Sequence, residues 1–195
     1  MTAERIKRLA RDERLALHAG FWWGLAEGLA FFIVPDVYIS FAALFSLRAG
    51  AVAWLSSIAG SVAAIPVIYL ITAMGLDYLG FLESIPGISG RLIEGVAGRL
   101  AAEGLPFMPS LVLGGVPLKV YAGIAFSLNL PLALVLLWTI FARVVRIAPT
   151  FAVIAAVRLL FRRRIDAHAT VWCTLLSLFW LAFYTFYFVR MTVER

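Results

Sequence analysis

Six charged side chains stand within or beside stretches that are otherwise apolar: Glu27, Asp36, Arg48, Lys119, Arg143 and Arg146. A charge at the centre of a bilayer costs at least about 2.5–3.5 kcal/mol on insertion scales, and such residues mark ion, proton or substrate paths by default. Carboxylates in that setting suit proton carriage, and guanidinium forks suit phosphate oxygens. Glu27 lies within a helical pattern of Trp23, Ala26, Ala30 and Phe31, so a capping role does not explain it. Its two readings are an ion pair with a mid-membrane arginine and a proton-coupling site. Asp36 follows Pro35 and precedes an apolar run. It reads either as the N-cap of the next helix or as a second proton-coupling carboxylate at a hairpin tip. Lys119 sits just after Pro117 near the start of a short helix, where a cation opposes that helix's dipole. It either snorkels to the lipid surface or holds an anion together with the helix's first N–H groups. Arg143 and Arg146 share a helical face; they read as a phosphate clamp, as partners of Glu27 and Asp36, or as both in turn. Arg48 reads as an interfacial anchor.

The elements that must position these groups follow from composition. Of the 195 residues, 63% are hydrophobic and only 14% are charged, whereas a soluble domain carries about 25% charged residues. The surplus apolar surface calls for lipid, so the expected class is an all-α polytopic membrane protein. The formal net charge of +6 does not point to nucleic acid, because the basic residues cluster at the edges of apolar segments, as the positive-inside rule describes. The single cysteine, Cys173, leaves no disulfide or multi-cysteine metal site within the chain. His18 and His168 are isolated, and no nucleotide-binding, hydrolase or metalloprotease motif occurs, so neither an enzyme nor a cofactor is expected.

Residues 1–19 do not read as a cleavable signal, since Arg5, Lys7, Arg8, Arg11 and Arg14 alternate with Glu4, Asp12 and Glu13. They read as an amphipathic surface helix with Ile6, Leu9 and Leu17 on its apolar side. Pro35 breaks the next apolar stretch, so residues 25–47 are expected to form a re-entrant helical hairpin. Residues 51–75 form a first span, kinked at Pro66, with Gly60 and Ser61 allowing close helix contact. Residues 76–104 form a surface segment, in which Leu92, Ile93, Val96 and Leu100 suit a short amphipathic helix. Residues 105–130 contain Pro106, Pro109, Gly114, Gly115 and Pro117 and read as a second hairpin. A span over 131–157 follows, kinked at Pro149, then a basic loop opened by Arg158, Arg162, Arg163 and Arg164, and a last transmembrane helix over 169–189. That helix ends in an aromatic-rich belt of Phe179, Trp180, Phe183, Tyr184, Phe186, Tyr187 and Phe188. Trp22, Trp23 and Trp54 read as interface or packing residues.

A phrase occurs twice. Residues 34–47 read VPDVYISFAALFSL and residues 116–128 read VPLKVYAGIAFSL. A second proline follows each copy at nearly the same interval, Pro66 after Pro35 and Pro149 after Pro117. Pro35, Pro117 and Gly115 are therefore the expected structural hinges of two related halves. With the N-terminus in the cytoplasm, the first hairpin returns inside, the span 51–75 crosses outward, the second hairpin returns outside and the span 131–157 crosses inward. Each unit is a re-entrant hairpin plus a transmembrane helix, and the two units are inverted repeats.

At these residues the chain resembles a known family. The run from Glu27 through Phe31-Phe32 to Pro35-Asp36-Val37 resembles the first hairpin of DedA-type proteins, also called the VTT or SNARE-associated family, in its YqaA-like branch. Gly115-Val116-Pro117-Leu118-Lys119-Val120-Tyr121 and Phe141-Ala142-Arg143-Val144-Val145-Arg146 resemble that branch's second hairpin and the segment after it. The resemblance covers about residues 20–157. It implies two inverted hairpins packed tip to tip, and lipid movement across the bacterial inner membrane. Undecaprenyl phosphate, recycled with the proton-motive force, and phospholipids are the implied cargoes.

The expected function is thus a flippase- or scramblase-like transporter of a phosphate-headed lipid. Lys119, Arg143 and Arg146 would bind the headgroup, and Glu27 and Asp36 would couple to protons. Membrane lipids, anionic ones above all, and protons are the expected partners, and a homo-oligomer is compatible with the reading. A proton-coupled exporter of small solutes or ions and a non-transporting membrane organising factor are the alternatives.

Overall fold

The computed structural model describes residues 3–193 apart from 109–111 and 113–114. The described residues form nine helices and no strand. They are α1 (Ala3–Arg11), α2 (Glu13–Leu29), α3 (Asp36–Phe45), α4 (Leu47–Ala73), α5 (Tyr78–Glu83), α6 (Gly90–Glu103), α7 (Leu118–Ser127), α8 (Leu132–Ala167) and α9 (Ala169–Val193). Three are long and apolar enough to cross a membrane: Leu47–Ala73, Leu132–Ala167 and, within α9, Ala169–Val189. Large side chains such as Leu137, Leu159, Leu175, Leu181 and Phe186 are exposed along the last two. That much contiguous apolar surface is foreign to a soluble monomer and fits lipid contact.

Local chemistry sets the helix boundaries. Asp12 caps α2 by accepting the N–H groups of Arg14 and Leu15 at 2.9 and 3.1 Å. The hydroxyl of Ser46 accepts Ala49 N–H at 3.2 Å and starts α4. Ser89 does the same for α6 through Leu92 N–H at 3.3 Å, and Gly104, at φ +74°, ends that helix. Each capping oxygen satisfies a donor that the helix's first turn leaves without a carbonyl.

Helix α2 packs along α4 more extensively than any other described pair of helices. Gly20, Gly24 and Gly28 recur every four residues, so they form one face of α2. A Cβ on Gly24 would lie 2.1 Å from the Ser57 carbonyl oxygen, and one on Gly60 of α4 would lie 2.0 Å from the Phe21 carbonyl oxygen. The two backbones are in direct contact, as small-residue faces permit. Ser61 adds a hydrogen bond across the seam, its hydroxyl donating to Gly24 O at 3.2 Å. Helix α3 lies against α4 and α8, and α7 against α4, α6 and α8. The main apolar core joins the second half of α4 to α5, α6, α7 and the first half of α8. Ile93, Val96 and Leu100 are the buried stripe of α6, as their spacing predicts.

Four expectations need correction. The segment 1–19 is two helices, because Asp12 ends one and caps the next; its second part runs unbroken to Leu29. Arginine is a good helix former, and the basic stretch beginning at Arg158 is helical as far as Ala167, not a loop. Helix α8 runs past the expected end at residue 157, and its helical dihedrals break at Phe161 (φ −114°, ψ 19°), while Pro149 lies inside the helix. In the aromatic-rich end of α9, Trp180 and Tyr184 turn inward: Trp180 Nε1 donates to Ser40 Oγ at 2.9 Å, and Tyr184 Oη accepts Val34 N–H at 2.8 Å. Of the residues expected in a second hairpin, Pro109 and Gly114 lie outside the described residues. Gly115, at φ +85°, and Pro117, the cap residue of α7, lie in irregular backbone just before that helix.

Candidate functional site

Glu27 lies in the last turn of α2, Lys119 is the second residue of α7, and Arg143 lies in the first half of α8. The fold brings them together and buries all three, at 2%, 2% and 1% exposure. Arg143 Nη2 donates to Glu27 Oε2, and Lys119 Nζ is 3.9 Å from Glu27 Oε1. The same ammonium donates to the backbone oxygens of Glu27, at 2.8 Å, and Phe31, at 2.9 Å. Lys119 therefore serves the C-terminal end of α2, where the helix dipole favours a cation. Its cost at the N-terminus of its own helix is offset by that placement, which reasoning within one helix does not show. Two cations thus face one carboxylate. The Nε and Nη1 groups of Arg143 have no hydrogen-bond partner among the described residues.

Asp36 and Arg146 form a second group. Pro35 holds the cap position of α3 with helical dihedrals (φ −65°, ψ −17°), so Asp36 is the first helical residue and not the N-cap. Its carboxylate is buried at 4% exposure, and Oδ2 has no hydrogen-bond partner among the described residues. It lies beside Thr150 and in the field of Arg146. Arg146 is half-buried one turn along α8 from Arg143. Among the described residues it makes no hydrogen bond and no ion pair within 4.0 Å. Arg48 stands apart, paired with Glu13 at 2.9 Å on the exposed surface.

Two cavities meet at Arg146. The larger, of about 600 Å³, lies between α3, α8 and α9; its walls are mainly apolar, with Asp36, Thr150 and Arg146 among the polar lining. The smaller, of about 160 Å³, is lined by Glu27, Lys119, Arg146 and Tyr184, among others. Val34, Gly115, Arg146 and Phe183 border both. Across the whole arrangement, Lys119, Arg143 and Arg146 oppose Glu27 and Asp36. One positive charge is left over when all five are ionised.

The turn at residues 30–35 is tied down by side chains from elsewhere. Besides the two bonds from Lys119, Tyr78 Oη donates to Leu29 O at 2.7 Å, and Trp23 Nε1 donates to Ile33 O at 2.9 Å. Tyr184 takes Val34 N–H. Side chains from elsewhere in the chain thus satisfy backbone groups that no helix pairs here.

The sequence reading brought Glu27, Asp36, Lys119, Arg143 and Arg146 to notice; the fold places Glu27, Asp36, Lys119 and Arg146 on the walls of the two cavities and Arg143 against Glu27. It did not find the glycine face of α2, although the four-residue spacing of Gly20, Gly24 and Gly28 was there to read. It also did not find the inward roles of Trp180 and Tyr184, whose residue types fit a lipid interface equally well. Among the described residues, no group of three or more His, Cys, Asp and Glu side chains is placed to hold a metal ion. No protein-family model, curated protein or solved structure matches the chain.

Proposed function

We propose that this protein is a DedA/VTT-like lipid transporter that moves a phosphate-headed lipid, such as undecaprenyl phosphate or a phospholipid, across the bacterial inner membrane. The observation that carries the reading is Arg146: a guanidinium with no hydrogen bond and no ion pair within 4.0 Å among the described residues, at the junction of a mainly apolar cavity and a smaller one that Glu27 and Lys119 also line. A lipid has the same two-part chemistry. Its chains would lie against the apolar walls of α8 and α9, and its phosphate would meet the paired donors of Arg146. The leftover positive charge of the five-residue group suits a monoanionic headgroup.

Roles divide by burial and partnership. Arg146 makes first contact with the phosphate. Lys119 and Arg143 lend positive potential from fixed positions and take over the headgroup when Glu27 is protonated and releases them. Asp36 is the proton-coupling carboxylate nearest the entering anion, because phosphate and carboxylate compete for Arg146 and a proton on Asp36 removes that competition. Pro35, Gly115 and Pro117 act as hinges, and the side-chain-satisfied turn at 30–35 supports a re-entrant hairpin. In this reading the N-terminus is cytoplasmic and the two hairpin-plus-span units are inverted repeats.

The test is reconstitution of the purified chain into liposomes. Fluorescent lipids with a phosphate headgroup are compared with a phosphate-free glycosylated headgroup on the same chains. Faster translocation of the phosphate-headed probe than in protein-free liposomes is expected. No acceleration, or equal acceleration of both probes, would overturn the proposal.

A further inference from the structure

A second basic cavity lies at the other end of α8. It has a volume of about 390 Å³, and its lining includes Arg11, Ser46, Leu47, Arg158, Leu159 and Arg162. Arg158 is twelve residues along α8 from Arg146, about 18 Å at 1.5 Å per residue, and the two cavities share no described lining residue. This region plays no part in the transport reading above.

The three arginines come from two distant parts of the chain, and one carboxylate sets the positions of Arg11 and Arg158. Asp166 accepts from Arg158 Nη1 at 2.9 Å and Nη2 at 3.2 Å, and from Arg11 Nη2 at 3.1 Å. In a straight helix, residues eight apart are separated by about 12 Å; the break at Phe161 lies between Arg158 and Asp166 and lets them meet. Arg158 is buried at 7% exposure, so its guanidinium is held in a fixed place. Arg162 has no carboxylate partner within 4.0 Å among the described residues and is exposed. Three guanidinium groups against one carboxylate leave two positive charges at the cavity. The 27-residue α4 begins at Leu47 on the same wall, and the positive end of its dipole adds to the potential. Leu159, in the cavity lining, is 70% exposed and with Leu47 gives the cavity an apolar rim.

We infer that this cavity binds a phosphate group, held by Arg11, Arg158 and Arg162. Planar guanidinium groups converging from separate helices match phosphate oxygens in a way that a single surface lysine does not. The apolar rim favours a phosphate carried on a lipid. Basic pockets between transmembrane helices are known headgroup sites, and a bound headgroup would join α1 to the α3–α4 junction and to the end of α8.

The test uses the full chain in zwitterionic micelles, in the wild type and in an Arg146→Ala background that removes the central cavity's contribution. Retention of phosphatidylglycerol is measured by native mass spectrometry. Arg162→Gln is the probe variant, since that side chain takes part in none of the recorded ion pairs, and Arg163→Gln is its neighbour outside the cavity lining. Retention about fivefold weaker in Arg162→Gln, in both backgrounds, is expected from the loss of one basic residue, with Arg163→Gln unchanged. Inorganic phosphate is the second arm. If it alone raises the thermal midpoint in a way that Arg162→Gln abolishes, the site takes free phosphate as well as the headgroup. If it does not and the lipid is retained, the site is specific to the headgroup. Equal loss of lipid in both glutamine variants would mean diffuse surface attraction and would overturn the inference. So would the absence of any effect of Arg162→Gln on either ligand.

Discussion

Two cations share one buried carboxylate where α2, α7 and α8 meet, and the consequences begin with Glu27. Its removal would leave the Arg143 guanidinium and the Lys119 ammonium buried without a counter-charge. Glu27→Ala is therefore expected to destabilise the protein by about 3–5 kcal/mol, read as a lower thermal midpoint in detergent. Lys119→Met is expected to be damaging for a different reason. It strips the Glu27 and Phe31 carbonyls of their donor, and each buried group left unsatisfied costs about 1–3 kcal/mol. A lysine that served only by snorkelling would leave the midpoint unchanged. All five residues were legible because an ionisable group in an apolar run is costly. Their pairing was not, because partners are chosen by tertiary contact. Glu27 with Arg143 is one of the pairings that residue types alone allowed. Lys119 at the end of α2 was hidden because its dipole argument considered only its own helix.

At the scale of elements, the seam between α2 and α4 sets how closely the site's first helix approaches its neighbour. Gly24→Val would place side-chain atoms inside the Ser57 backbone, and a cost of at least about 1–3 kcal/mol is expected from overpacking. Gly95→Ala in α6 makes the contrast. A Cβ there meets nothing within 4 Å, so the substitution is expected to stabilise by about 0.5–1 kcal/mol through helix propensity. The same thermal melts check both signs. Tyr78, outside the long apolar helices, supports the turn from below: burial pushes its phenol well above the usual range, so it remains a donor to Leu29 O throughout the physiological range. Tyr78→Phe is expected to cost about 1 kcal/mol. The break at Pro35 and the long apolar helices were plain in the sequence. The start of α2 was not, because the charged run from Glu4 to Arg14 has the pattern of one surface helix and only Asp12 divides it. Nor was the direction of Trp180 and Tyr184, since an amphipathic ring serves a lipid interface and an inward hydrogen bond equally well.

At the scale of the whole molecule, three long apolar helices pack with shorter ones, and the two cavities open where Arg146 of α8 meets the ends of α2, α3 and α7. Under the proposed function Arg146 is the point of contact for an anionic headgroup, and its position makes that role separable from stability. Arg146 makes no hydrogen bond or close ion pair among the described residues, so Arg146→Ala is expected to keep the wild-type thermal midpoint to within a few degrees. The repeated Val-Pro phrase was legible, and its two copies lead into the short helices α3 and α7. The way the copies divide their charges, Asp36 toward Arg146 and Lys119 toward Glu27, was not, because each contact joins residues from distant parts of the chain. The most direct measurement is the rate of phosphate-headgroup translocation in liposomes for wild type, Arg146→Ala and the surface control Arg48→Ala. Loss of a hydrogen bond to a charged group worth about 1.5–3 kcal/mol is expected to slow Arg146→Ala by about 10- to 100-fold while Arg48→Ala keeps the wild-type rate. A folded Arg146→Ala protein that translocates the probe as fast as the wild type would contradict the account.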